Sequence, residues 1–256
     1  MIDNVQKKLE SMAVELDSYY RRKVFTKKEI DTIILTRRKY ENKINRTSKR
    51  LNDFIFYIES EKKLEKIRNK KVSNLGSGFE ESDLSLQKNI ILIYSRAFHY
   101  FPNRKLLEDF SEYCIKKKLY EELKTVFSTI CLKSVSDMDL WVYCAKKLWE
   151  IEDIDGSRSI FLKCCGFCQS FKVYYEFFKI ECQYAQKINK INESLGVLEE
   201  DKDDIEKGDI ALMVFKEIIG LPVKITDEML DECYETSKAV AGLTEKMKTL
   251  ISSSLD

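Results

Sequence analysis

Turn-forming residues and histidine are scarce in this sequence, which contains 8 Gly, 2 Pro and 1 His among 256 residues. β-Sandwiches and β-barrels place turn formers about every ten residues, so the sequence excludes these architectures and favours helices nearly throughout. Long apolar runs are missing too, since none approaches the roughly 18 residues that a membrane-spanning helix needs. The expected fold class is therefore all-α.

The residues that usually perform catalysis are equally sparse. A catalytic triad or a histidine-rich metal site would have to use His99, and no nucleophile motif surrounds it. Gly76-Ser77-Gly78 lacks the third glycine and the preceding strand of a phosphate-binding loop. The acidic runs Glu199-Glu200-Asp201 and Asp203-Asp204 have no apolar neighbours that would raise a carboxyl pKa. The sequence therefore predicts neither an enzyme nor a cofactor.

Cysteine is the one reactive residue type that is abundant. Met1 is followed by a polar amphipathic stretch and not by an apolar signal segment, so reduced thiols in the cytosol or nucleus are expected. Cys165-x-x-Cys168 has the spacing of half a zinc site, but the nearest further thiols lack paired spacing. Buried structural cysteines are the favoured interpretation, and a metal site is the alternative. The eight cysteines are Cys114, Cys131, Cys144, Cys164, Cys165, Cys168, Cys182 and Cys233.

Charge is distributed unevenly along the chain. Residues 1–71 carry 20 Lys/Arg against 11 Asp/Glu, whereas residues 190–256 carry 8 against 16. The net charge of +1 therefore conceals a basic N-terminal end and an acidic C-terminal end, which predicts partners of different charge at the two ends.

An internal repeat of about 34 residues organises the middle of the chain. Tyr94, Phe127 and Phe161 are spaced by 33 and 34 residues. Leu107, Trp141 and Tyr174 follow a second register, spaced by 34 and 33 residues. Two interleaved registers of one period predict two helices per repeat, which stack because no single hairpin buries its apolar face.

The same scheme extends to Phe54 and Phe215 if two loops are inserted, near residues 69–83 and 189–207. The predicted organisation is basic N-terminal helices over 1–50, about four repeats over 51–222 and a C-terminal helix over 223–256. This predicts a right-handed α-α solenoid with capping helices at its N-terminal end. The residues expected to pack the repeats are Phe54, Tyr57, Tyr94, Ala97, Leu107, Phe127, Trp141, Phe161, Tyr174 and Phe215.

Basic clusters crowd the first 50 residues. On helices they would form a cationic face able to contact phosphates without reading sequence, while a solvated surface with glutamate partners at helical spacing is the alternative. The candidate RNA or partner contacts are Arg21, Arg22, Lys23, Lys27, Lys28, Arg37, Arg38, Lys39, Arg46, Lys49 and Arg50.

The repeat pattern resembles half-a-TPR, or HAT, repeats of RNA-processing assemblies. Trp141 with Glu150 and Tyr174 with Glu181 match the first helix of such a repeat, and Tyr94-x-Arg96-Ala97 matches the second. A second pattern lies in the N-terminal region, at Phe25, Glu29, Ile30, Ile33, Ile34, Arg37, Tyr40, Glu41, Lys43 and Ile44, then Asp53, Phe54, Ile55, Tyr57, Ile58 and Glu61. It resembles the N-terminal region of the U-three-protein-six family, whose members are HAT-repeat subunits of the UTP-B complex in the small-subunit processome.

This resemblance implies a non-catalytic nucleolar scaffold in ribosome assembly. Its partners would be the WD40-propeller subunits of UTP-B, with pre-ribosomal RNA and U3 small nucleolar RNA contacted indirectly or through the basic N-terminus. Family members continue through further repeats, so partners of those repeats are not expected to bind here. Two alternatives are a HAT scaffold of pre-mRNA splicing or 3′-end processing and a TPR-like peptide-binding adaptor.

Overall fold

The computed structural model describes residues 2–76, 78, 80, 82–195 and 205–254. Within these ranges the chain is helical, and it contains no strand. None of the described helices is long and apolar enough to cross a membrane. The all-α fold class predicted from the scarcity of glycine and proline is confirmed.

The chain divides into two compact units, residues 1–114 and 115–256. This boundary falls inside the predicted repeat region, so the units do not follow the predicted divisions at residues 50 and 222. The helices up to the boundary are α1 (Ile2–Ser11), α2 (Ala13–Arg21), α3 (Lys27–Ile44), α4 (Leu51–Leu75), α5 (Ser82–Tyr100) and α6 (Arg104–Lys117), which contains it. The later helices are α7 (Tyr120–Lys133), α8 (Met138–Glu150), α9 (Ile154–Phe167), α10 (Phe171–Leu195), α11 (Asp209–Ile219), α12 (Asp227–Ser237) and α13 (Leu243–Ser254).

Side-chain caps begin several of these helices. Thr26 and Glu29 form a reciprocal capping box at the start of α3, in which the Thr26 backbone N–H donates to Glu29 Oε2 at 2.8 Å. Asp137 Oδ1 accepts from the backbone N–H of Leu140 at 3.0 Å and so caps α8. Each such cap satisfies a backbone donor that the first helical turn leaves unpaired.

The predicted repeat aromatics lie on successive helices. Phe54, Tyr94, Phe127 and Phe161 lie on α4, α5, α7 and α9 and are buried, and each contributes roughly 1.5–3 kcal/mol by leaving water. Tyr174 on α10 is the exception among the ten predicted packing residues, because it is only partly buried. Within the units, α4 packs on α5, α8 on α9 and α10 on α11. The solenoid itself stays a prediction.

The structure differs from the predicted loops. Residues 69–75 continue α4 and residues 82–83 begin α5, and in these segments Lys71 on α4 pairs with Glu29 and Asp83 on α5 pairs with Arg68. Residues 189–195 likewise continue α10, where the Asn189 side chain donates to the Glu206 carbonyl oxygen at 2.8 Å. Residues 196–204 of the second predicted loop lie outside the described residues.

One further expectation was wrong. The predicted single helix over 223–256 is two helices, α12 and α13, which are separated by residues 238–242. Gly242, directly before α13, has a φ of +74°, a conformation that favours glycine. Gly156 lies in the first turn of α9, where its backbone N–H donates to Asp153 Oδ1 at 3.1 Å. Pro102 and Pro222 lie after the ends of α5 and α11.

Candidate functional site

His99 and Gly76, which belong to the candidate catalytic and phosphate-binding features of the sequence, lie at the ends of helices. His99 is exposed in the last turn of α5, with its ring edge-on to Tyr100 at 4.8 Å. Gly76 ends α4 with φ of +59°, and Ser77 lies outside the described residues. The acidic runs over 199–204 also lie outside them. Among the described side chains, no group of three or more His, Cys, Asp or Glu is arranged to hold a metal ion.

The cysteine cluster lies at the end of α9. Cys164 is buried, with its Sγ 3.8 Å from Sγ of Cys168, while Cys165 and Cys168 are partly buried. Burial raises the pKa of Cys165 to about 12, so its thiol is protonated near neutral pH. A protonated thiol is a poor nucleophile and a poor metal ligand.

The predicted basic residues separate into three places. Arg22 and Arg37 lie inside the N-terminal unit, with side chains 8% and 1% exposed, so neither is available to a phosphate. For these two the predicted contact role was wrong. The exposed cations Arg21, Lys23, Lys27 and Lys28 lie around the start of α3, and Arg38, Lys39, Arg46 and Arg50 lie around its end, with Lys49 partly buried. The two ends of this 18-residue helix are about 27 Å apart.

Arg37 is the centre of a buried ionic cluster. Its Nη2 donates to Glu61 Oε2 at 2.9 Å and its Nε to Glu61 Oε1 at 3.0 Å. Its Nη1 and Nη2 donate to the two oxygens of Glu15 at 3.2 and 3.3 Å. Asn89 Nδ2 adds a further hydrogen bond to Glu61 at 3.1 Å. Arg37 on α3 therefore joins α2 and α4, and Asn89 on α5 is connected to the cluster through Glu61.

Burial by itself would lower the pKa of Arg37, but the charges of Glu61 and Glu15 outweigh it. The pKa of Arg37 lies above its usual value, and the guanidinium stays charged inside the protein. Because a buried charge is tolerated only when it is paired and hydrogen-bonded, this cluster fixes how the four helices meet.

Two further ionic clusters tie the same helices together. Arg22 Nη1 donates to Asp83 Oδ1 at 2.9 Å, and Arg68 Nη2 donates to the Asp83 carbonyl oxygen at 2.7 Å. Arg96 Nη1 on α5 lies 2.9 Å from Glu41 Oε2 on α3. Arg96, quoted above as part of the repeat pattern, therefore anchors α3 to α5.

The residues of the N-terminal resemblance largely perform this structural work. Glu29, Arg37, Glu41 and Glu61 are members of the ion pairs above, and the ring of Tyr40 stacks on that of Tyr57 at 5.2 Å. The sequence offered one signal of this role that was not used: Glu61 stands in the apolar stripe of α4.

A groove on the C-terminal unit is a candidate binding surface. It is about 630 Å³ and lies between α9 and α11, with α10 as its floor. Leu162 on α9 and Met213 on α11 are exposed along its walls, and Tyr174 and Phe177 line its floor. The half-buried state of Tyr174 follows from this position. Concave apolar surfaces of this kind bind partner helices or peptides.

Sequence reasoning missed a second surface, on the N-terminal unit. Lys63 and Lys70 are exposed on α4, and Ile67 between them is 50% exposed. The RNA or partner contacts predicted from the sequence end at Arg50, before α4 begins. The signal was present in the sequence as a stripe of residues three or four positions apart that faces away from Phe54 and Tyr57.

Comparison with known proteins gives matches that share one description. A family model described as U3 small nucleolar RNA-associated protein 6 matches residues 9–92, which include Glu15, Arg37, Glu61 and Asn89. The chain is 27% identical over 236 residues to the U3 small nucleolar RNA-associated protein 6 homolog of Homo sapiens, an alignment covering 86% of this chain and 39% of the human protein.

Two further relatives carry the same description. The U3 small nucleolar RNA-associated protein 6 of Schizosaccharomyces pombe is 26% identical over 239 residues, covering 90% of this chain and 49% of that protein. The Mus musculus homolog is 25% identical over 235 residues, an alignment that covers 86% of this chain and 39% of the mouse protein. The chain thus spans between 39% and 49% of the length of these relatives.

Proposed function

The chain belongs to the family of U3 small nucleolar RNA-associated protein 6, and on this basis we propose that it is a non-catalytic scaffold subunit of the small-subunit processome. In this role it takes part in processing the precursor of small-subunit ribosomal RNA and in ribosome assembly, in the nucleolus. It acts through protein contacts with the WD40-propeller subunits of the UTP-B complex. Pre-ribosomal RNA and U3 small nucleolar RNA are reached through these partners or through the exposed basic residues near α3.

The observation that carries this proposal is the extent of the similarity. It covers 86% to 90% of the chain and therefore both compact units. The relatives are named for their association with U3 small nucleolar RNA, and a chain similar to them throughout both units is proposed to join the same particle.

Two structural observations support a scaffold role. Paired helices offer surfaces that bind neighbouring domains, and the groove between α9 and α11 exposes Leu162 and Met213 on facing walls. The buried cluster around Arg37 stabilises the helices of the N-terminal unit in one arrangement, as a docking surface requires. We propose the α9–α11 groove as a contact for a propeller subunit.

The test is a pull-down of the tagged full chain from its source cells at low and at high salt, with proteins and RNAs identified. The expected result is recovery of WD40-propeller proteins at both salt concentrations, with precursor ribosomal RNA lost at high salt because phosphate contacts weaken as salt rises. Recovery of splicing factors, 3′-end processing factors or chaperones in their place would contradict the assignment.

A double variant and a control variant test whether the contact lies in the groove. The double variant Leu162→Asp with Met213→Asp places charge on both walls and is expected to abolish recovery of the propeller proteins. Leu132→Asp is the matched control, since Leu132 is an exposed leucine of the same unit on α7, outside the groove lining. Equal recovery of the propeller proteins with the groove double variant and with Leu132→Asp would show that the contact lies outside the groove.

A further inference from the structure

A second groove lies on the outer face of the N-terminal unit, between α3 and α4. Lys71 Nζ lies 2.6 Å from Glu29 Oε1 near one end of α3, and the rings of Tyr40 and Tyr57 stack 5.2 Å apart near the other. The two helices therefore run antiparallel and side by side along most of α3. The groove between them is about 220 Å³.

Apolar side chains contribute much of the groove surface. Ile33 of α3 and Leu64 and Ile67 of α4 line it, together with the polar residues Thr32, Thr36, Ser60, Glu61 and Lys63. Leu35 is 63% exposed and Phe56 51% exposed on the same two helices. Single exposed apolar side chains are ordinary, but several around one groove are typical of a contact surface.

Lysines border the groove on both sides. Lys28 and Lys39 of α3 share a helical stripe with the groove-lining Thr32. Lys63 and Lys70 of α4 lie on either side of Ile67. All four lysines are exposed, and in the described part of the chain no carboxylate lies within ion-pair distance of them.

We propose that this groove is the docking site for an amphipathic helix of a partner protein, with an apolar stripe flanked by aspartate or glutamate. On α4 the groove lining extends from Ser60 to Ile67, roughly 10 Å along the helix, which accommodates about two helical turns. The apolar stripe contacts Leu64 and Ile67, and the flanking carboxylates face the lysines. This inference goes beyond the proposed function and does not depend on it.

RNA is the other ligand that lysines attract, and the apolar residues argue against it here. Sequence-blind binding to a phosphate backbone uses the charges alone. The aliphatic side chains of Ile33, Leu64 and Ile67 contribute nothing to that interaction, whereas an amphipathic helix in the groove buries them. The combination of both features therefore favours an acidic helix.

The test measures binding of the full chain by fluorescence anisotropy. The probes are a labelled helical peptide of about 15 residues with a leucine stripe flanked by glutamates, a peptide of the same composition with the stripe scrambled, and a labelled oligouridine. The amphipathic peptide is expected to bind about tenfold or more tightly than the scrambled one. Equal binding of the two peptides, or tighter binding of the oligouridine, overturns the proposal.

Variants locate the binding on the groove. Ile67→Ser and the double variant Lys63→Glu with Lys70→Glu are each expected to weaken peptide binding about tenfold. Lys66→Glu is the matched control, because Lys66 is an exposed lysine of α4 that does not line the groove, and it should change binding less than about threefold. Circular dichroism verifies that each variant is folded. Parental affinity in both groove variants contradicts the proposal.

Discussion

Neighbouring residues of the same type have opposite roles in this protein. Arg37 is 1% exposed and paired with two glutamates, while Arg38 is exposed and has no carboxylate within ion-pair distance in the described part of the chain. The helical turn of about 100° per residue is enough to move a guanidinium from the interior to the solvent. The charge of a residue in a basic run therefore does not reveal whether it stabilises the fold or contacts a partner.

Arg37→Met is expected to lower the free energy of unfolding by about 3–5 kcal/mol, because it leaves Glu15 and Glu61 buried without a counter-charge. Arg38→Met, at the adjacent exposed position, should change it by less than about 0.5 kcal/mol. Urea unfolding followed by circular dichroism measures both values.

The triple variant Glu15→Leu, Arg37→Met and Glu61→Leu provides a further control. It removes the charges together, so it should recover much of the stability lost in Arg37→Met. Similar losses in the two single variants, Arg37→Met and Arg38→Met, would contradict the role assigned to the buried cluster.

Single helices show how local capping sets their bounds. Helix α9 begins where the Asp153 carboxylate accepts the backbone N–H of Gly156, and Lys124 Nζ lies 3.1 Å from the other oxygen of the same carboxylate. A Cβ at position 156 would overlap the Asp153 side chain, whereas a Cβ at Gly166 near the end of α9 meets nothing. Two glycines of one helix thus have different reasons to be present.

Gly156→Ala is expected to destabilise the protein by about 1 kcal/mol, because the new methyl group displaces the capping carboxylate. Gly166→Ala should instead stabilise it by about 0.5 kcal/mol, because alanine favours the helix and has free space there. Thermal or urea unfolding of the two variants provides the comparison. The assignment fails if both substitutions change stability in the same direction.

At the scale of the molecule, the chain consists of two compact units, and the unfolding of each can be followed by a different spectroscopic signal. Both tryptophans, Trp141 and Trp149, lie in the unit over residues 115–256. The buried cluster around Arg37 lies entirely in the unit over residues 1–114. Tryptophan fluorescence therefore reports on one unit, while circular dichroism reports on both.

Arg37→Met is expected to lower the urea midpoint of part of the circular dichroism transition and to leave the tryptophan fluorescence midpoint unchanged. The reason is that every partner of Arg37 belongs to the N-terminal unit. Gly156→Ala, in the other unit, should lower the urea midpoint of the tryptophan fluorescence transition. An equal shift of both signals in Arg37→Met would show that the chain unfolds as one cooperative unit.

The sequence by itself determined the all-α class and the burial of nine of the ten residues expected to pack the repeats. Scarcity of glycine and proline and the spacing of Phe127, Phe161 and Trp141 are local properties, and helical periodicity converts them directly into a core face. Helix ends were less predictable, since α4 and α10 extend through segments that looked like loops.

Only the tertiary structure decided which charges are internal and which surfaces are exposed. The Arg37 side chain is buried because Glu15 and Glu61, 22 and 24 positions away in the sequence, both bind it. The Arg22 side chain is covered in the same way by its pair with Asp83, 61 positions away. The groove between α3 and α4 and the half-buried Tyr174 likewise depend on neighbouring helices. Such placements depend on contacts between segments distant in sequence, and no local pattern of residues specifies them.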